Sequence, residues 1–192
     1  MELTARLKAH TAGLHTEVED LLYAEPLMQR TIAKAQLVHL LRIHHRFHVM
    51  LERWIAQHEE QITGLPIRLL QRSQMIMEDL RSIGAEAPDE ITIEGTPGFE
   101  EMLGVLYVSE GSMLGGAVIA KALAGHPELQ GIAWKFFGAY GQDLRSHWIA
   151  LCAMLNERPT GEHERILNGA VIGFDAYKKC FHALSIDRVS VE

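Results

Sequence analysis

Residues 99–124 constrain the chain more than any other stretch. They are apolar at most positions and have the length of a helix. Yet GVLYVSEGSMLGGAVIAKAL places Gly111, Gly115 and Gly116 inside that run, with Gly104 near its start. An interior glycine costs a helix about 0.5–1 kcal/mol relative to alanine. Three together cost roughly 1.5–3 kcal/mol by simple addition. Two arrangements would offset this. A missing Cβ lets another backbone approach, or it leaves a bare face for a flat ligand. Gly111 and Gly115 are four apart and share a face. Glycine beside serine at Gly111-Ser112 also permits a kink. Both explanations stay open from the sequence.

The rest of the chain also reads as helices. Thr4 is placed to cap a first helix, with Leu7, Leu14, Val18, Leu21 and Leu22 as its apolar positions, and Pro26 ends or offsets it. Thr31 is placed to cap a second, running to about Gln57. After the break at Gly64-Leu65-Pro66 a third is expected over about 67–83, with Gly84 as its stop. Residues 85–98 read as loop, with Ile91-Thr92-Ile93 as a short extended piece. The glycine-bearing helix is expected over 99–124. A fifth helix should start at Glu128 or Trp134 and reach Leu155, and a last one should cover about 162–184. No repeat or linker divides the chain. The expectation is one all-α domain over residues 1–192, a single-domain multi-helix bundle.

Composition narrows the function classes. Lys plus Arg number 18 against 25 Asp plus Glu, a formal charge of -7, and no block of like charge occurs. That argues against a nucleic-acid partner. The start MELTARLKAH is not a secretory signal, and no continuous apolar run suggests a membrane span. Cys152 and Cys180 make no disulfide framework and fit a reducing, cytoplasmic setting. In LCAML and KKCFHAL both read as core residues and not as nucleophiles.

Eleven histidines occur. His44, His45 and His48, with Arg42 and Arg46, read as a polar or rim face. His58, His126, His147, His163 and His182 have no evident partner set. His15 differs. It sits near the stripe of Leu7, Leu14, Val18 and Leu22, with Glu19 one turn later and Lys8 two turns earlier, about 10 Å away by helical rise. A carboxylate on one ring nitrogen fixes the tautomer and frees the other nitrogen for a metal. A planar metal macrocycle with an acidic edge would suit that spacing, and so would the simpler role of a satisfied boundary histidine. Other chemistries lack their spacing. There is no Glu-x-x-His pair for a di-metal bundle, no His-Glu-x-x-His, no Cys-x-x-Cys, no phosphate-binding glycine loop and no Gly-x-Ser-x-Gly elbow.

LKAHTAGLHTEVE and LYVSEGSMLGG, followed by FFGAYG, Phe174 and Phe181, resemble the corresponding motifs of heme oxygenases, specifically the bacterial biliverdin-producing kind. The resemblance runs from Leu7 to about Leu184. It implies a cytoplasmic oxidoreductase for which heme is both substrate and cofactor. Such an enzyme uses O2 and electrons from a donor such as a ferredoxin or flavoprotein reductase. It opens the ring to biliverdin, carbon monoxide and Fe2+. The resemblance also implies that His15 ligates the iron and Glu19 orients it. Gly111, Ser112, Gly115 and Gly116 would form the distal helix, and Tyr107 and Lys8 would meet propionates. Ser112 stands where the mammalian branch has an aspartate. A non-catalytic heme carrier or sensor on the same fold is the alternative; it would keep His15 but need no glycine helix.

Overall fold

Eight α-helices carry the chain in the computed structural model, which describes residues 2–89, 95–129 and 131–187. They are α1 (Leu3–Leu21), α2 (Ala24–Met28), α3 (Lys34–Ala56), α4 (Glu59–Thr63), α5 (Arg72–Ser82), α6 (Phe99–Ala124), α7 (Leu144–Asn156) and α8 (His163–Asp187). Among the described residues there is no strand. Ile91-Thr92-Ile93 lies outside them.

α6 has the expected bounds and runs without interruption through its glycines. By length and composition it could cross a membrane, but 56% of its most apolar window is buried within the fold, as in a core helix. Its first half buries Met102, Leu103, Val105, Leu106 and Val108. It lies mainly along α8, and α1 and α3 also pack on α8. The α6–α8 approach is backbone against backbone. A Cβ added to Gly104 would fall 2.5 Å from Ala170 N, and one added to Gly169 would fall 2.5 Å from the Glu101 carbonyl carbon. One apolar cluster joins α1, α3, α6, α7 and α8 through Leu7, Phe47, Leu103, Leu151 and Ile166. A second gathers Leu27, Leu40, Ile76, Leu123 and Phe136 around the other end of α6.

Several helix ends differ from the sequence expectation, each because a distant residue competes. Thr4 is not a cap. It lies inside α1, and its N and Oγ1 both donate to Asn156 Oδ1 at 3.0 Å, tying α1 to α7. α3 starts at Lys34 and not after Thr31, with Gln36 Oε1 accepting from Ala33 N at 2.9 Å. The third expected helix starts at Arg72, because residues before it cross to another segment; Arg68 O accepts the Tyr140 hydroxyl at 3.2 Å. Gly84 ends it at φ 70, as expected. The fifth helix starts only at Leu144. Residues 135–140 are turn instead, because the Asp79 carboxylate accepts from Lys135 N at 2.8 Å and Phe136 N at 3.0 Å.

The histidines of α3 are not on a rim. His39, His44, His45, His48 and Arg46 are all buried. The helix packs against α5 on one side and α8 on another, so its covered face is wider than its apolar stripe. His44 packs against Phe136, Tyr177 and Phe137, with centroids 4.9, 5.6 and 6.2 Å away. His48 meets Phe47 and Phe136, each at 5.3 Å. Burial, and then the nearby Arg72 charge, pushes His44 down to about 3 and His48 well below the usual imidazole range. Both are therefore neutral core residues. Three of the histidines without evident partners also find them. His58, His126 and His163 donate from Nε2 to the carbonyls of Pro97 (2.7 Å), Ile32 (3.1 Å) and Arg158 (3.0 Å).

Gly104→Ala or Gly169→Ala is expected to lower the unfolding free energy by about 3 kcal/mol in urea denaturation, because backbone must yield to the new methyl. Acid should also weaken the fold. An imidazole held neutral in the core adds stability that is full above its unfolded value of 6.5 and is lost as pH falls toward the folded value, about 3 for His44. The urea midpoint should therefore drop through that window. His44→Gln, which does not titrate there, should make the slope shallower.

Candidate functional site

His15 projects from α1 beside α8. Its Nδ1 lies 3.1 Å from Glu19 Oε2, an i,i+4 pair. With the ring proton on Nδ1, toward that carboxylate, the Nε2 lone pair is left to accept another partner. The side chain is 58% exposed, so His15 stands outside the buried stripe of Leu7 and Val18. Its ring edge rests on Phe174 of α8, centroids 6.1 Å apart. Lys8 is exposed two turns earlier on the same helix.

The four glycines of α6 divide by what faces them. Gly104 is filled by the α8 backbone. A Cβ on Gly116 would come 3.3 Å from Phe137 O, and one on Gly111 would come 3.3 Å from the Trp148 ring. A Cβ on Gly115 would meet nothing within 4 Å. Beside that open position Leu114 and Val118 are exposed at 40% and 48%. The result is a bare apolar face along one side of α6. Ser112 Oγ donates back to Ser109 O at 2.8 Å, and its side chain also meets the Tyr177 hydroxyl. Tyr107 packs its ring on Trp148 at 5.3 Å. Burial pushes its phenol up, so it stays protonated.

α8 brings these two faces together. Phe174 touches His15. Gly173, one residue earlier, would place a Cβ 3.3 Å from Val108 of α6. Tyr177, one turn later, reaches Ser112 and stacks on Phe47 with centroids 3.7 Å apart. One turn of α8 thus has the histidine of α1 on one side and the glycine segment of α6 on the other. The structure brings His15 and Glu19 together, and Ser112 together with the glycines. Tyr107 is placed with Trp148.

Sequence reasoning missed a buried charged group behind the glycines. The Glu110 side chain is 0% exposed and pairs through Oε1 with Arg72, itself 2% exposed. Glu110 Oε2 accepts from the Tyr140 hydroxyl at 2.7 Å and from His147 Nε2–H at 2.9 Å. Burial, then Arg72 and Arg68, holds His147 below the usual imidazole range, so it is a neutral donor to the carboxylate. The signal for Glu110 was present, because a lone carboxylate in an apolar run needs a partner. The identity of that partner was not.

The remaining reactive groups offer no rival centre. Burial pushes the Cys180 thiol up to about 12 and raises Cys152 as well, which disfavours thiolate chemistry. Among the described residues no three His, Cys, Asp or Glu side chains gather to hold a metal ion. A metal carried inside a macrocycle, which supplies most of its own ligands, would need only one from the chain. The single free nitrogen of His15 and the bare face at Gly115 fit such a group.

The fold is that of known heme-handling proteins. It is similar to the NO- and CO-bound heme oxygenase from Neisseria meningitidis, with a TM-score of 0.75 at 21% identity over 95% of this chain and 92% of that one. The heme oxygenase of the cyanobacterium Synechocystis, solved in complex with heme, superposes with a TM-score of 0.72 at 17% identity, covering 99% and 95%. The heme oxygenase from Leptospira interrogans gives 0.73 at 17% identity, covering 94% and 98%. Among curated proteins none matches the sequence. The heme oxygenase family profile matches residues 1–183, and the chain belongs to that family.

Proposed function

We propose that the protein binds heme between α1 and α6 and cleaves it, with O2 and electrons from a ferredoxin or flavoprotein reductase, to biliverdin, carbon monoxide and Fe2+. The observation that carries this reading is the bare apolar face at Gly115 on α6, in the helix whose Val108 meets Gly173 of α8, next to the Phe174 that carries His15 with a carboxylate at its Nδ1. Heme, when bound, supplies the iron that activates O2 and the ring that is opened. All other contributions come from the chain. In the proposed assignment His15 offers Nε2 to the iron, and Glu19 holds the ring through Nδ1. The neutral imidazole donates less electron density than a thiolate and so does less to favour O–O cleavage.

Gly111 and Gly116 let Trp148 and Phe137 pack close to the glycine segment, while Gly115 removes a side chain from the opposite wall, so backbone there can lie close to the bound ring. Leu114 and Val118 offer it apolar contact and exclude water. Ser112 Oγ, already donating to Ser109 O, keeps lone pairs to accept a proton donor, and protonated Tyr177 beside it keeps its O–H. Lys8 and Tyr107 would meet the propionates, by the resemblance in sequence. The free thiols and the charge of -7 suit a reducing, cytoplasmic location without a nucleic-acid partner.

The test is a heme titration followed by reductive turnover. A Soret band should form on binding and then be lost as a green pigment appears, identified as biliverdin. A Soret band that persists under reductant and O2 supports the carrier or sensor reading instead. His15→Ala should change the iron-ligand spectrum and abolish or greatly slow ring opening; an unchanged Soret band would remove His15 from its role. Gly115→Ala should separate folding from binding. It should stabilise the heme-free protein by about 0.5–1 kcal/mol through helix propensity, because the methyl meets nothing. The same substitution should weaken heme binding, as read by titration.

A further inference from the structure

The glycine segment of α6 has few side chains with which to hold its own position. Residues 109 and 110, just before it, are held from three other parts of the fold. Arg72 at the start of α5 pairs with Glu110 and also donates from Nη1 to Ser109 O at 3.2 Å. Tyr140, in the turn before α7, donates to Glu110 Oε2 at 2.7 Å. His147 of α7 donates to the same oxygen at 2.9 Å, and its ring stacks on Tyr140 with centroids 4.2 Å apart. Ser109 O accepts Ser112 Oγ as well, so Arg72 and Ser112 meet at one shared carbonyl.

A buried ion pair is an expensive way to gain stability, since apolar residues of the same volume often do as well or better. What such a group does supply is directional fixing, because each partner accepts only one geometry. We propose that Glu110, with Arg72, Tyr140 and His147, is a positioning group that fixes where the Gly111–Gly116 segment lies across the site, without itself touching the substrate. It acts on the reacting ring only through the backbone it holds. This extends the proposed heme oxygenase function and rests on it for its catalytic consequence. The anchoring itself is a property of the heme-free protein.

Glu110→Gln keeps the shape and removes the charge. In the heme-free protein, amide hydrogen exchange at residues 109–116 should quicken by about tenfold or more, while amides 166–176 of α8 stay as in the wild type. With heme and reductant, the same variant should change the proportions of biliverdin isomers, because a displaced wall presents a different ring edge. Tyr140→Phe removes one of the three bonds. It should give a smaller rise in exchange at the same amides, which keeps the test decisive should Glu110→Gln not fold. Exchange that quickens uniformly along the chain, or not at all, overturns the proposal. So do unchanged isomer proportions alongside an active wild type. A wild type that binds heme but makes no biliverdin refutes the oxygenase reading, and the exchange experiment then judges the anchor alone.

Discussion

The α6–α8 contact sets the geometry on which everything else depends. Gly104 and Gly169 let the two backbones meet where any side chain would hold them apart. That spacing decides how far the rest of α6 stands from α8, and so how Val108 fits Gly173 and how Ser112 reaches Tyr177. α1 rests on the same helix through the His15–Phe174 contact. The distance between the histidine and the glycine segment is therefore not set by either helix. It is set by a third, which both use as a common floor.

How much of this was legible follows from the range of each interaction. The His15–Glu19 pair is local, four residues apart on one helix, and could be read directly. So could the bounds of α6, where apolar length and flanking breakers agree. The glycines were visible as an anomaly, but their division was not. Gly104 answers to Ala170, Gly116 to Phe137 and Gly111 to Trp148, all far along the chain, and only Gly115 answers to nothing. Gly169, the partner that explains Gly104, attracted no notice because it lies in a helix with ordinary composition. The histidines of α3 misled for a related reason. Periodicity finds one apolar stripe, whereas α3 is covered on two sides, and the second side accepted His44 and His48 once their rings were neutral. The helix that should have started at Trp134 yielded to Asp79, whose carboxylate holds two successive backbone amides in a turn.

Arg72 makes the interior electrostatically uneven. It is nearly fully buried and its charge bears on His44, His48 and His147, in each case after desolvation as the second influence. Among the described residues, Glu110 answers it with an opposite charge at contact distance. Behind the glycine segment the interior thus holds one charged pair among neutral imidazoles and phenols, while Arg46 and Asp79 are buried elsewhere. Neutral rings can pack against Phe136, Phe137 and Phe47 as core, which charged ones could not.

The cost of the glycines can now be divided. Four of them in one helix look severe when summed from the sequence, since each interior glycine costs about 0.5–1 kcal/mol. At Gly104 the close backbone packing offsets that cost. At Gly111 and Gly116 the approach of Trp148 and of the Phe137 carbonyl does the same in part. Of these four, only Gly115 meets nothing among the described residues, and within α6 the uncompensated cost falls to that of a single residue. A ligand present at a hundredfold excess over its Kd adds about 2.7 kcal/mol of stability, well above what one glycine withholds. The break that remains in α6 lies where a bound group would restore the balance, and local rules are expected to be broken at such places.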